Sequence, residues 1–355
     1  MLKINTSILT PGMVLAKPIY DAQGKLLIDR NIKLKKLYID KLIQYKIEAV
    51  YISWNKENLS DVSEMITEET KLQALKVIKE TVNNINITKH IDLRELETAI
   101  TDIIGELMSD KGILLNLTDI RTIDDYTFGH SVNVCVLSLI MGIALNYDKE
   151  SLKVLGVGAL LHDIGKVQIS SDILNKPGIL TDMEYEEIKK HSFFGYGMVK
   201  NIEGIKKEIA WIIRDHHERY DGNGYPNGLW GENIHVFSRI VAICDVYDAL
   251  TSNRIYRSGI PPHQAIEYLI AMGNHQFDYN LVKIFLRHIC IYPIGTVVKL
   301  QSGEQGVVVE LDEYCPTRPI IDIVRDMNGR SLETKIRVDL RKNLKNGIVS
   351  ILEAV

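Results

Sequence analysis

Between residues 115 and 290, apolar side chains recur at three- and four-residue steps over most of the segment, which is the period of an amphipathic α-helix. The clear interruption is the segment Asp221–Pro226, where Gly222, Gly224 and the proline cannot continue a helix. So long a stretch with a single period predicts an all-helical domain over residues 115–290. We expect this domain to be the core of the chain.

The segments on either side have other patterns and predict smaller units. Residues 1–55 combine short apolar, strand-like runs with one helical stretch, which indicates a small α+β domain. Residues 56–114 are polar and helix-prone and predict a helical connector. Residues 291–355 switch to β-branched runs, such as the one at 306–311, and predict a small β module. The expected fold class is therefore mainly α, an all-helical domain with an N-terminal α+β domain and a C-terminal β module.

Composition excludes several classes of function. The formal net charge of −4 provides no overall field that would attract a nucleic-acid polymer. The four cysteines form no CxxC pair, which argues for a reduced cytoplasmic protein and against a zinc-thiolate cluster. No apolar run has the length of a signal peptide core or of a membrane span, so we expect neither, and a cytoplasmic location.

Five of the ten histidines fall within an 88-residue window of the helical segment, namely His130, His162, His191, His216 and His217. Neutral imidazole and carboxylate are good ligands for divalent iron, manganese or zinc, so this clustering beside acidic residues indicates a metal site. Judged one at a time, such residues are more often satisfied structural groups, and a single His-Asp dipeptide occurs by chance in many chains.

Two of the histidine-containing segments end apolar helical runs. His162 and Asp163 follow such a run, so an imidazole and a carboxylate emerge together at a buried helix end. His216 and His217 end another run. Adjacent side chains on a helix diverge by about 100°, so both can reach one metal only if the helix end points at it.

Two further candidates have contexts of their own. His191 follows a helix whose start carries a capping box, Thr181 with Glu184. Asp245 directly follows an apolar run in which an unpaired carboxylate would be costly, and metal coordination would offset that cost. Each of the seven candidates, taken alone, is more often a structural residue than a metal ligand. Their occurrence together in one segment favours a metal site.

These motifs resemble a known family. The His-Asp pair at 162–163, the sequence HHERYDGNGYP at 216–226, and Asp245 followed by TSNRIYR at 251–257 resemble the HD-GYP phosphodiesterases, a branch of the HD phosphohydrolase superfamily. The resemblance covers about half of the chain, residues 124–288, and the eleven-residue motif is highly specific. It implies a metal-dependent phosphodiesterase that hydrolyses cyclic di-GMP to pGpG, with either pGpG or GMP as the end product.

The resemblance also implies two divalent metal ions, with iron or manganese favoured because the ligand set lacks thiolate. The implied ligands of the first metal are His130, His162, Asp163 and Asp245. The implied ligands of the second are His191, His216 and His217, with Asp163 as the bridge. Two such cations can share a hydroxide at neutral pH and aim it in line at phosphorus.

Lys166 completes the expected catalytic set together with Asp163. It lies four residues after His162 and matches the family lysine that meets the phosphate. An ammonium group at that position neutralises charge that develops on phosphorus-bound oxygens. Without a metal site beside it, Lys166 would be an ordinary surface lysine.

Five further residues match the family's ligand-contacting positions. Tyr225 belongs to the GYP motif, and Arg254 and Arg257 can fork onto phosphate or a guanine edge. Gly222 and Gly224 let the loop approach the ligand closely. The alternative for the two arginines is a salt-bridged helix C-terminus.

One departure from the family limits the expected metal count. Some members place a glutamate four residues before the first histidine and use it with a third metal. This chain has Tyr126 there, and a phenol is a poor ligand at neutral pH. Asp124 and Asp125 lie nearby, but nothing in the sequence directs them inward. Two metals are therefore expected.

Two other functions stay open. A nucleotide phosphohydrolase of the wider superfamily would share the HD pair but has no reason to carry the complete GYP loop. A catalytically silent cyclic-dinucleotide sensor or protein-interaction module would normally have lost ligands, and all seven are present here. We also expect a regulatory or dimer-forming N-terminal domain, a homodimer formed through the helices at 57–110, and, by family resemblance, diguanylate cyclases as partners.

Overall fold

The computed structural model describes residues 2–16, 18–20, 26–45, 47, 49–52, 66–88, 91–109, 115–116, 126–252, 259–290, 292, 294–312, 315 and 317–352. The chain forms two compact units, Met65–Ile289 and the pair of segments Met1–Glu64 and Cys290–Val355. The first is mainly helical, and the second contains three of the four sheets that the structure describes. This is the mainly α architecture that the sequence predicts.

In chain order the strands are β1 (Leu2–Asn5), β2 (Ile19–Tyr20), β3 (Leu26–Ile28), β4 (Ala49–Ile52), β5 (Leu115–Asn116), β6 (Ile289–Cys290), β7 (Val297–Leu300), β8 (Gln305–Glu310), β9 (Ile320–Arg325), β10 (Ser331–Asp339) and β11 (Ile348–Ile351). The α-helices are α1 (Lys36–Gln44), α2 (Glu68–Thr88), α3 (Leu93–Ser109), α4 (Tyr126–Ala144), α5 (Lys149–Leu161), α6 (Ser171–Leu174), α7 (Asp182–Val199), α8 (Lys207–Asp215), α9 (Val236–Thr251), α10 (Pro262–Ala271) and α11 (Tyr279–His288). Short 3₁₀ helices lie at Thr6–Ile8, Ile164–Gln168 and Gly231–Asn233.

Two antiparallel strand pairs, β1 with β4 and β2 with β3, make up the N-terminal part of the smaller unit together with α1. Their core contains Leu15, Leu34, Leu42 and Val50. The C-terminal part is a five-stranded antiparallel sheet in the order β10-β9-β8-β7-β11. Burial alternates along β8 and β9, so one face of this sheet is covered. Both parts have the strand content that the sequence predicts.

Helix α4 is the centre of the helical unit. Every residue from 131 to 142 is buried, as expected for a helix that is apolar on all sides. It packs against α2, α5, α9 and α11, and α5 packs in turn against α3 and α8. Among the helices that the structure describes, none has both the length and the apolar character needed to cross a bilayer.

Helices α2 and α3 belong to the same compact unit as α4 and α5. The buried residues of α3 recur at three- and four-residue steps and form one apolar face: Leu96, Ala99, Ile100, Ile103, Ile104 and Leu107. That face lies against α2 and α5. The segment predicted to be a connector therefore supplies packed helices, and the four-part division of the chain stays a prediction.

Helix ends in this unit follow local sequence signals. The capping box at the start of α7 is present, with Thr181 and Glu184 each bonded to the backbone of the other. Helix α7 continues to Val199, so His191 lies inside the helix, and the expectation that it follows a helix end is wrong. Gly195 does not end α7, because its close packing against α8 and the 3₁₀ turn outweighs the weak helix propensity of glycine.

The 3₁₀ turn Ile164–Gln168 approaches α7 most closely at Gly165. A Cβ added there would overlap the carbonyl oxygen of His191 and lie 2.5 Å from the backbone nitrogen of Gly195. The turn that follows His162 and Asp163 is therefore held against the helix that carries His191 by direct backbone contact.

We expect Gly165→Ala to lower the free energy of unfolding by about 1–3 kcal/mol, because the added methyl group forces the turn and α7 apart. Gly197→Ala is the matched control, since its Cβ would meet no atom within 4 Å. Because residue 197 is an exposed helical position, Gly197→Ala should raise the free energy of unfolding by about 0.5–1 kcal/mol. Urea unfolding of the metal-free proteins measures both, and equal stability of the two variants would contradict the backbone contact.

Candidate metal centre

Five helices bring seven histidine and aspartate side chains to one region of the helical unit. They are His130 of α4, His162 and Asp163 at the end of α5, His191 of α7, His216 and His217 at the end of α8, and Asp245 of α9. Six of these side chains are buried or nearly so, and that of His217 is 25% exposed. Every residue predicted to be a metal ligand lies in this cluster.

The ligand atoms divide into two groups, and within each group they all lie within 4.8 Å of one another. One group is Asp163, His191, His216 and His217, and the other is His130, His162 and Asp245. The Asp163 carboxylate faces both groups. Its Oδ1 lies 3.4 Å from His191 Nε2, and its Oδ2 lies 3.3 Å from His162 Nε2. One carboxylate can therefore serve both groups with different oxygens.

Three of the imidazoles are oriented by their own helices. In each, Nδ1 donates a hydrogen bond to a backbone carbonyl one turn earlier, which leaves the Nε2 lone pair facing the cluster. The pairs are His162 with Ala159 at 2.8 Å, His191 with Ile188 at 2.7 Å and His216 with Ile213 at 3.0 Å. Nε2 of His191 then faces Nε2 of His216 across 3.3 Å, with no proton between them. A cation satisfies both lone pairs.

Unsatisfied buried atoms test whether a metal fits. Among the described residues, His162 Nε2 and Asp163 Oδ1 are buried without a hydrogen-bond partner. Leaving such atoms unpaired costs about 1–3 kcal/mol each. Both atoms face the cluster, and the donor set is nitrogen and oxygen without thiolate, which suits a divalent metal ion. The residues present therefore fit a pair of divalent cations.

The three histidines that share a group with Asp163 are in the protonation state that binds a cation. Burial lowers the pKa of His217 to about 3, and burial together with neighbouring imidazoles lowers the pKa of His191 and His216. All three are neutral at pH 7 in the absence of metal. Neutral imidazole is the form that binds a metal, so these ligands need not release protons.

The acidic ligands stay ionised despite their burial. Burial raises the pKa of Asp163, but Lys166 and His162 outweigh it and hold that pKa well below its usual range. Burial disfavours the charged form of His130, yet hydrogen bonds to Asp245 and Asp248 raise its pKa to about 10. A proton on His130 thus compensates the carboxylates where a cation would otherwise do so.

Two predicted substrate-binding residues border the cluster. Lys166 Nζ donates to Asp163 Oδ2 at 2.5 Å, and its side chain is 31% exposed. The Tyr225 ring lies beside the His217 ring, with centroids 4.8 Å apart and planes tilted by 32°. Lys189 of α7 lies 5.6 Å from the centroid of the Tyr225 ring. Charged and aromatic groups therefore adjoin the metal ligands.

The GYP loop, which contains Gly222, Gly224 and Tyr225, folds back on itself. Gly222 has a φ of +82°, a conformation that favours glycine. A Cβ on Gly224 would lie 2.5 Å from the Cα atom of Glu218, so the close approach shown here is between two parts of the loop. The Glu218 carboxylate accepts from the backbone N–H groups of Asn227 and Leu229 and holds the loop together. Close approach of Gly222 and Gly224 to a ligand stays a prediction.

Several predicted features lie outside the described residues. They are Arg254 and Arg257, the pair Asp124 and Asp125, and the side chain of Tyr126, whose backbone begins α4. The roles of the arginines and the expected absence of a third metal therefore stay predictions from the sequence.

Two residues of the centre are not predicted from the sequence. Asp248 Oδ2 accepts from His130 Nδ1 at 2.7 Å, and Asp248 Oδ1 accepts from Asn133 Nδ2 at 3.0 Å. These bonds orient the His130 ring so that Nε2 points to Asp245, 3.0 Å away. The sequence does hold a signal, since Asn133 and Asp248 each lie three residues after a ligand and share its helix face.

Comparison with known sequences identifies the two parts of the chain. Residues 119–281 match the profile of the HD domain family, and residues 297–354 match a KOW domain associated with HD domains. Cyclic di-GMP phosphodiesterase PA4108 of Pseudomonas aeruginosa is 37% identical over 220 residues, 62% of this chain and 53% of that protein. The 3'3'-cGAMP-specific phosphodiesterase 1 of Vibrio cholerae is 36% identical over 166 residues, 47% of this chain and 38% of that protein. The chain thus spans about half the length, or less, of these curated relatives.

A solved structure shares the fold. Bd1817, an HDG"Y"P protein from Bdellovibrio bacteriovorus, aligns with a TM-score of 0.53 over 80% of this chain and 97% of its own. The two sequences are 18% identical, so the likeness concerns the fold alone. It agrees with the mainly α architecture described above.

We expect Asp248→Ala to weaken binding of Mn²⁺ about 10–100-fold, because His130 loses the acceptor that orients its ring. Calorimetric titration of the metal-free protein measures this affinity. The control is Asp278→Ala, which removes an equally buried carboxylate that pairs instead with Arg239 at 2.6 Å. The control should bind Mn²⁺ within about twofold of wild type. Equal losses in the two variants would exclude an orienting role for Asp248.

Proposed function

We propose that this chain, whose residues 119–281 match the HD domain family, is a metal-dependent phosphodiesterase of the HD-GYP type that hydrolyses cyclic di-GMP to pGpG, with either pGpG or GMP as the end product. The observation that carries the proposal is the Asp163 carboxylate, placed between two groups of buried ligands. The relatives named as cyclic di-GMP and 3'3'-cGAMP phosphodiesterases support a cyclic dinucleotide as the substrate.

The proposed cofactors are two divalent cations, iron or manganese. His130, His162 and Asp245 would hold one, His191, His216 and His217 would hold the other, and Asp163 would be shared. When bound, such a pair supplies an activated water for attack on phosphorus and stabilises charge on the phosphate oxygens. The donor set favours these metals over those that prefer thiolate.

The chain's own residues position the reactants. Asp163 faces both ligand groups from the end of α5, and the contact at Gly165 fixes that end against α7. Lys166 brings an ammonium group to within 2.5 Å of the shared carboxylate. A phosphate bound there exchanges this intramolecular bond for one to its own oxygen, so Lys166 would stabilise charge that develops during hydrolysis.

The rim of the centre would hold the rest of the substrate. Tyr225 offers a ring face and a hydroxyl beside His217. Arg254, Arg257, Gly222 and Gly224 are proposed to contact the nucleotide, as the sequence predicts. A homodimer, diguanylate cyclase partners and a cytoplasmic location are proposed on the same basis.

The test is turnover by purified protein loaded anaerobically with Fe²⁺ or Mn²⁺. We expect cyclic di-GMP to yield pGpG, either as the end product or on the way to GMP, with activity lost on chelation and restored by metal. Asp163→Asn should reduce turnover by roughly 100-fold or more, since it removes the charge shared by both ligand groups. Asp102→Asn, an exposed position on α3, should retain full activity.

Binding of cyclic di-GMP without product in the metal-loaded wild type would instead favour a silent sensor. Turnover of 3'3'-cGAMP in preference to cyclic di-GMP would contradict the proposed substrate while keeping the proposed reaction. Chromatographic separation of the products distinguishes these outcomes in one assay.

A further inference from the structure

A cavity of about 190 Å³ lies beside the proposed catalytic residues, within the helical unit. Asp163 and Lys166 are among the residues that line it. Apart from these two and Ser131, its lining side chains are aliphatic or aromatic. Ile78 and Val82 of α2 contribute to the apolar wall, and both are buried from solvent.

The size and lining of this cavity suit a flat, apolar group. Four of its lining residues, Phe128, Lys166, Val167 and Leu174, are partly exposed, so the cavity opens to solvent and a ligand can enter it. An apolar cavity of about 150 Å³ is large enough to bind benzene. A cavity of 190 Å³ can therefore accept a planar ring, and its apolar walls gain by contact with the faces of that ring.

We propose that this cavity binds one nucleobase of the substrate while a phosphate of the same nucleotide lies at Lys166, an assignment that rests on the proposed function. A nucleotide joins an anionic group to a ring with apolar faces, and the lining of the cavity combines the Lys166 ammonium group, which is paired with Asp163, with apolar side chains. Bases removed from a stack are held between apolar and aromatic side chains in other nucleotide-binding sites. A free phosphate would leave the apolar part empty.

Part of the cavity wall comes from α2, a helix outside the part of the chain that matches the HD domain family. Helix α2 spans Glu68–Thr88 and precedes residues 119–281, the part of the chain that matches the HD domain family. It packs against α4 and the 3₁₀ turn, and its Ile78 and Val82 line the same cavity as Asp163. Base recognition in this chain therefore depends on a helix outside the matched domain.

The test compares two probes that share a phosphate and a ribose, GMP and ribose 5-phosphate. Calorimetry with the manganese-loaded protein should find GMP bound about tenfold more tightly by wild type, because only GMP has a base to stack. Val82→Phe fills the cavity and should reduce this preference to about twofold or less. The affinity for ribose 5-phosphate should not change.

Val77→Phe is the matched control. Val77 is a buried valine on the same helix that does not line the cavity, so the substitution adds the same volume and the same overpacking elsewhere. It should keep the preference for GMP. Leu174→Phe, at a partly exposed position of the cavity lining, is the second variant, because its site can accept a larger ring without disturbing the core.

Equal binding of the two probes by wild type, or a full preference for GMP in Val82→Phe or Leu174→Phe, would overturn the assignment. Turnover of cyclic di-GMP is measured separately. Normal turnover without a preference for GMP contradicts the cavity assignment alone. A preference for GMP that Val82→Phe removes, in a protein without turnover, contradicts the proposed function and keeps the cavity as a base-binding site.

Discussion

Buried lone pairs that face one another constrain the centre of this structure more than any other interaction. Imidazole nitrogens and carboxylate oxygens meet around Asp163 in a mostly buried region, and no described protein donor satisfies His162 Nε2 or Asp163 Oδ1. In a medium of low dielectric such an arrangement is stable only with positive charge inside it. The raised pKa of His130 and the bond from Lys166 to Asp163 show how the chain provides that charge without metal.

Helix ends and backbone contacts in the helical unit position the ligands at this centre. Helices α5 and α8 end where their histidines begin, so a rigid element aims each pair at the centre. Nδ1 of His162 and Nδ1 of His216 each donate a hydrogen bond to a backbone carbonyl of the same helix, which fixes the orientation of the ring. The contact between Gly165 and α7 then sets the distance between the HD pair and His191. The geometry of the centre therefore depends on this backbone contact as well as on the ligands.

Much of the fold and of the candidate metal centre could be predicted from the sequence, because apolar periodicity and helix ends are local sequence signals. Apolar periodicity locates the helical unit, and the ends of apolar runs locate His162 and His216. The place of His191 inside α7 was not predictable in this way, since Gly195 weakens the helix signal and only packing restores it. Asp248 was missed because its bond to His130 joins two helices that are far apart in sequence. The contribution of α2 to the cavity wall was not predicted, because in the sequence Ile78 and Val82 belong to an ordinary apolar helix face.

Anomalous X-ray diffraction from crystals of the manganese-loaded protein tests the central claim most directly. Two anomalous peaks are expected, roughly 3.5–4 Å apart, with an Asp163 oxygen close to each. His130, His162 and Asp245 should surround one peak, and His191, His216 and His217 the other. A single peak, or peaks that leave Asp163 on one side, would contradict the account of a carboxylate shared between two cations.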